Sequence, residues 1–314
     1  MKNTTRQGGS PASIQREKHK EALQCFLMIG TQIIGFLVLS VYPIIWTFRW
    51  AFYAYDGIAA NTRFIGLQNF ISMFTVDLTY WRTWANTLLY AALKIPIELC
   101  LAMILALMLN RRLRGSHFFR AVFYLPNIIS VAVVGLIFTN MFGYFGWVNG
   151  TLLKIGAVRE GVDWFAGRGT AFAVLVTGGV WSTFGINVMY FMAALAGISE
   201  DIYESARLDG ASGFTAFRKI TVPMIAPVLQ IILLLSLVGT LGVNEFILTS
   251  TNGAPGGQTL SVMAYLTRQF VPGFMAAGAK PRLGYGCAMS VVTTVIFAVV
   301  ALAYDKVSKK MPSV

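Results

Sequence analysis

The chain has 314 residues, of which 56% are hydrophobic and only 12% charged, with a mean hydropathy of +0.65. A soluble globular chain carries about twice that charged fraction, so composition excludes a water-soluble domain and predicts an all-α, polytopic membrane protein. The formal net charge of +12 then reads as a topology signal, because basic loops gather on the cytoplasmic side.

Residues 1–24 carry Lys2, Arg6, Arg16, Lys18 and Lys20 behind a flexible start at Gly8-Gly9-Ser10-Pro11. They are expected to form a cytoplasmic basic tail. No apolar core precedes about residue 25, so no cleavable signal peptide is expected. This charge abuts an apolar run, which disfavours nucleic acid as a partner.

Six apolar runs follow, near 25–48, 85–109, 121–143, 170–194, 224–247 and 284–304. Each is long enough to span, given the ~20 residues a membrane helix needs. They predict six transmembrane helices in one domain over 25–305, with a short tail at 306–314. Trp46, Trp50, Trp81, Trp84, Trp147 and Trp164 flank the first four runs, as an interfacial aromatic belt does. Of the 25 Lys and Arg residues, 15 fall in the two tails and the loops 110–120 and 195–223, and nine in the three loops of the other face. Both termini are therefore expected inside, together with loop 195–223.

That loop reads Ile198-Ser199-Glu200-Asp201-Ile202-Tyr203-Glu204-Ser205-Ala206-Arg207-Leu208-Asp209-Gly210-Ala211-Ser212-Gly213, then Phe214 to Pro223. Ser199 is a plausible N-cap. Glu200, Asp201 and Glu204 suit the positive end of a helix, and Ile202, Ala206 and Asp209 share one face. Gly210 and Gly213 permit a turn. A second short helix is expected over Phe214–Ile220, with Pro223 closing it before the next apolar run.

These residues resemble the "EAA" loop of ABC-importer permeases: Glu-Ala-Ala, three residues, Gly, nine residues, Ile, one residue, Leu-Pro. The pattern falls on Glu204, Ser205, Ala206, Gly210, Ile220, Val222 and Pro223 with every spacing kept. Ser205 replaces Ala and Val222 replaces Leu. Asp209-Gly210-Ala211 has the form of the sugar-transport branch (maltose, multiple-sugar and glycerol-phosphate types). Phe64-Ile65-Gly66-Leu67-Gln68-Asn69-Phe70, Gly146-Trp147-Val148-Asn149-Gly150, Asn252 to Thr259, and the turn from Asn110 to Pro126 resemble further segments of that branch.

The resemblance implies a type I ABC importer permease fold and the first of two permeases moving a sugar or oligosaccharide. It implies four further partners: a second homologous permease, two cytoplasmic ATPase subunits and an extracytoplasmic substrate-binding protein, around a sugar substrate and membrane lipid. Glu204, Ser205, Ala206, Asp209, Gly210, Ala211, Ile220 and Pro223 would couple to the ATPase. The middle stretches of the fourth and fifth spans line the sugar path in maltose-type relatives, which points to Thr183, Ile186, Leu241, Gly242 and Glu245. No lysine follows a glycine, so there is no Walker A loop. ATP and magnesium are therefore expected on the partner ATPases, with no cofactor on this chain and no catalysis by it.

Cys25, Cys100 and Cys287 lack metal or disulfide spacing and read as small core residues. His19 and His117 lie outside the apolar runs, remote from any triad. Lys94 and Glu98 stand four apart on the second span, where they can neutralise one another. Two readings are open: a structural pair buried against the partner permease, or the lining of a polar path. Glu245 has no basic neighbour in sequence. It lies on the face of Val238, Leu241 and Gly242 if the fifth span is one helix, and it belongs either to that path or to the outer interface. An autonomous, ion-coupled transporter or channel is the alternative function. It needs a coupling carboxylate or a repeated broken helix; Glu98 and Glu245 are its candidates.

Overall fold

In the computed structural model, residues 11–110, 115–275 and 280–309 are described, the side chains of 11–19, 21–23, 25 and 59 excepted. The expectations for Gly8 to Ser10, for the charges of Lys2, Arg6 and Lys310, and for Arg111, Arg112 and Arg114 lie outside these residues.

The first apolar run is helical from well before its expected start. Helix α1 (Pro11–Phe36) passes through a π turn at Leu37–Val41 into α2 (Tyr42–Trp50). The expected tail is thus helical from Pro11 onward. The wide turn has a cause in Pro43. A proline in a helix lacks its N–H and its ring crowds the carbonyl four residues back, and a π turn resets that register: Tyr42 N–H bonds to Leu37 O. None of the apolar window in Phe26–Trp50 is buried within the chain.

A two-stranded ribbon, β1 (Tyr53–Ala54) against β2 (Arg63–Phe64), leads to α3 (Gln68–Thr75). Asn69 explains the motif around it. Its buried amide donates to Ala51 O at 2.8 Å and Tyr53 O at 3.0 Å, fastening α3 beneath the end of α2. Gly66 turns the chain there with φ +57°.

Helix α4 (Leu78–Leu109) opens on Asp77, whose carboxylate accepts from Tyr80 N–H. The third run is not one helix. Instead α5 (Ser116–Ile128) and α6 (Val131–Met141) meet at 94°. Ile129 and Ser130 leave the helical conformation between them, at ψ 136° and 133°. Beyond the short α7 (Trp147–Lys154) comes α8 (Arg168–Ala196), the most buried of the spans. Its glycines allow close crossings. A Cβ on Gly185 would lie 2.0 Å from Phe123 O in α5, and one on Gly178 would meet Phe246 and Phe138.

After α8 come α9 (Glu200–Leu208) and α10 (Gly213–Ala216). A second π turn at Phe217–Thr221 runs straight into α11 (Val222–Leu241). Pro223 therefore does not close a helix, as the sequence suggested, but lies inside a continuous one from Gly213 to Leu241. The π turn before Val222-Pro223 accommodates the ring as the one before Tyr42-Pro43 does.

The fifth span then stops. Gly242 to Asn244 are non-helical and α12 (Glu245–Ser250) starts afresh, so Glu245 does not continue the face of Val238 and Leu241. Helix α12 packs on α6, where Gly135 accepts the close approach of Thr249 and Thr139 Oγ1 donates to Ser250 O at 2.8 Å. The loop from Asn252 to Thr259 holds four consecutive-pair positive-φ residues, Asn252, Gly253, Gly256 and Gly257, and is closed by Thr251 and Thr259 hydroxyls 2.9 Å apart. That bond and the left-handed positions make it a tight turn.

Helices α13 (Val262–Phe270) and α14 (Leu283–Ser308) complete the described fold. Asp77 ties both to the start of α4, accepting from Tyr265 Oη at 2.9 Å and Tyr285 Oη at 2.7 Å. Burial and the Asp77 carboxylate both push the Tyr265 hydroxyl above its ordinary range. The main apolar core lies between α4, α8, α6, α11 and α12. Cys287 is buried in a separate small cluster with Ala51 and Ala288, whereas Cys100 is exposed on α4 and is not a core residue.

Candidate functional site

Two features stand out: a polar cavity among the spans, and a capped polar helix at one end.

The cavity has a volume of about 570 Å³, within the ~300–1,000 Å³ of ligand sites. Helices α4, α8 and α11 and the break at Gly242–Asn244 wall it. Thr183, Ile186, Gly242 and Glu245, four residues that the sequence pointed to, line it. Leu241 does not; it is 3% exposed and packed away. Gly242 and Glu245 are exposed because the helix ends before them, so the break itself opens this side of the cavity.

Its floor is ionic. Lys94 Nζ and Glu98 Oε2 stand 2.7 Å apart with side chains 7% and 1% exposed. Glu98 Oε1 accepts from Asn187 Nδ2 on α8 at 2.7 Å, and Lys94 donates to Thr240 Oγ1 on α11 at 3.3 Å. The pair is therefore buried within its own chain, not against a partner subunit, and it lines the cavity. Tyr90, a turn earlier, reaches Gly179 so closely that a Cβ there would collide with its hydroxyl. Sequence reasoning missed Tyr90, Ser236 and Thr240 as lining residues. The i, i+4 spacing of Ser236 and Thr240 on an otherwise apolar α11 was the available signal.

The second feature is α9. Ser199 caps it, accepting from Asp201 N–H. At its other end, Gly210 adopts φ +77°. Gly210 N–H bonds to Arg207 O at 3.0 Å and Ala211 N–H to Ala206 O at 2.9 Å, the paired bonds of a Schellman ending. A left-handed residue is required there, which is why glycine stands at that spacing. Ser212 then caps α10 through Thr215 N–H.

Of α9 only Ala206 is buried. Glu204, Ser205, Asp209 and Gly210 are exposed, and Ala211, Ile220 and Pro223 are half-buried. Tyr203 Oη, 2.9 Å from Thr221 Oγ1, pins α9 to the π turn leading into α11. Through this bond α9 is joined directly to the helix that ends at the cavity. Leu208 and Phe214 are 89% and 72% exposed on either side of the turn, and sequence reasoning overlooked them.

A family profile described as "Binding-protein-dependent transport system inner membrane component" matches residues 98–312. The lactose transport system permease protein of Rhizobium radiobacter is 31% identical, over 80% of this chain and 86% of its own. The trehalose/maltose transport system permease protein of Thermococcus litoralis is 30% identical, over 93% and 96%. Among solved structures, a bacterial ABC transporter involved in the import of the acidic polysaccharide alginate superposes with TM-score 0.80 at 24% identity, covering 95% of this chain and 99% of that one. That likeness carries the fold, and the profile and relatives carry the family. The chain belongs to the inner membrane components of binding-protein-dependent transport systems: it is a multi-pass permease subunit, and not itself an enzyme.

Proposed function

We propose that this permease moves a sugar or oligosaccharide inward through the cavity between α4, α8 and α11. ATP hydrolysis by separate cytoplasmic subunits drives it, and α9 is the point at which they push. The observation that carries this reading is the exposed, doubly capped α9, fastened by Tyr203 to the π turn of α11. Leu208 and Phe214, 89% and 72% exposed beside its turn, give this end an apolar surface for a partner to cover.

Both termini and α9 lie on the cytoplasmic side in this reading, supported by the distribution of Lys and Arg. A second permease and lipid cover the bare apolar face of Phe26–Trp50. An outer binding protein delivers the solute to the other end. ATP and magnesium stay on the ATPases.

The mechanism is differential binding. ATP favours the closed ATPase dimer, which grips α9 in one orientation and so favours one access state of the spans. Glu204 supplies the carboxylate facing the ATPase, and Gly210 the left-handed turn. Sugar specificity follows from the relatives' names and from a cavity whose walls alternate hydroxyl, amide and apolar groups.

Mutation separates coupling from assembly. Gly210→Pro removes the N–H that bonds Arg207 O and forbids the φ of +77°, while Glu204→Lys reverses the exposed charge. Both variants are expected to insert and co-purify with their partners, yet to hydrolyse ATP without solute uptake in proteoliposomes. Wild-type uptake by either variant overturns the assignment of α9.

A further inference from the structure

Glu98 holds the two polar arms of the cavity floor. One carboxylate oxygen meets Lys94 and the other accepts from Asn187. An ion pair withdrawn from water is no more stabilising than a well-packed apolar pair of the same volume. The neighbouring interior positions Ala91, Leu99 and Ala102 are apolar, so packing does not call for charge here. The charge has another use.

Among the described residues lining the cavity, Lys94 is the only cation, and Glu98 and Glu245 the only carboxylates. Lys94 is matched by Glu98, and Glu245 stands exposed at the break. An anionic solute therefore meets a carboxylate and no unmatched cation. Hydrogen bonding is fixed as well. Because Asn187 donates through Nδ2 to Glu98, its amide oxygen is left to accept from a solute hydroxyl. Because Thr240 accepts from Lys94, its own proton is left to donate.

We propose that Glu98 is a specificity-positioning residue: by occupying Lys94 and orienting Asn187 it selects uncharged polyhydroxy solutes and rejects carboxylated ones. This rests on the sugar-importer reading above.

The test measures equilibrium binding of radiolabelled maltose and of a uronic-acid disaccharide to the assembled complex of both permeases and the ATPase subunits. The outer binding protein is left out, so that only the membrane cavity selects. Wild type is expected to bind the uronate at least about tenfold more weakly than maltose. Glu98→Gln leaves Lys94 unmatched and is expected to raise uronate affinity by about tenfold or more, while the double variant Lys94→Gln/Glu98→Gln loses that gain. Lys94→Gln/Glu98→Lys, with one unmatched cation at the other position, is expected to show the same gain and serves where Glu98→Gln does not assemble. Uronate affinity unchanged in both cationic variants while maltose still binds, or an equal gain in the double glutamine variant, overturns the proposal alone. Wild type binding neither sugar overturns the sugar reading and the proposal with it.

Discussion

Gly185 offers a sharp test of how the broken third span is held. The glycine lies where α8 crosses α5, and an alanine Cβ would stand 2.0 Å from Phe123 O and 2.8 Å from its carbonyl carbon. Such contacts do not occur below 3.0 Å. The obstacle is backbone, so no side chain can rotate away and α5 must withdraw by about 1 Å or more. Overpacking of this kind costs ~1–3 kcal/mol, offset by at most ~1 kcal/mol of improved helix propensity. A rigid backbone obstacle puts the cost near the top of that range, so the expected net loss is about 2 kcal/mol, a fall in melting temperature of roughly 3 °C for 314 residues. Gly169→Ala on the same helix meets nothing within 4 Å and is expected to be neutral or stabilising by up to ~1 kcal/mol. Thermal unfolding of the two purified variants, followed by size-exclusion fluorescence, reads the difference. Equal melting temperatures for Gly185→Ala and wild type would refute the close crossing.

Asn149 is 1% exposed and ties α7 to the segments before and after it, donating to Tyr144 O and Val162 O while accepting from Val162 N–H and Trp164 Nε1. Asn149→Ala strands those donors at ~1–3 kcal/mol each and is expected to abolish hydrogen-exchange protection at the Val162 amide; retained protection would contradict the assigned bonds. Leu208→Ser with Phe214→Ser removes two exposed apolar side chains. It is expected to change stability by less than ~0.5 kcal/mol but to weaken co-purification with the ATPase; full retention of the ATPase would exclude them from the contact.

Local chemistry made α9 legible in the sequence. Ser199, the acidic first turn and Gly210 each act on backbone groups within a few residues, so spacing alone located the helix and its Schellman ending. The apolar runs were legible for the same reason of length. Pro223 misled, because a five-residue π turn can carry a helix through a proline, and nothing in composition distinguishes that from a stop. Glu245 misled because the interruption at Gly242–Asn244 has no proline to mark it. The 94° bend after Ile128 had a marker in Pro126 two residues earlier, but a proline inside an apolar run does not say whether the helix kinks, breaks or continues. Lys94 and Glu98 were seen as a pair, but their ties to Asn187 and Thr240 cross 89 and 146 residues of sequence, and only packing brings such groups together. Cys100 was read as core from the apolarity of its neighbours, a property shared by lipid-facing positions.

The most direct measurement of the central claim is solute accumulation in proteoliposomes containing both permeases and the outer binding protein, with and without the ATPase subunits. Accumulation is predicted only when ATPase and internal ATP are both present, and to cease on addition of vanadate. Concentrative uptake by the permeases alone under an imposed ion gradient would contradict it.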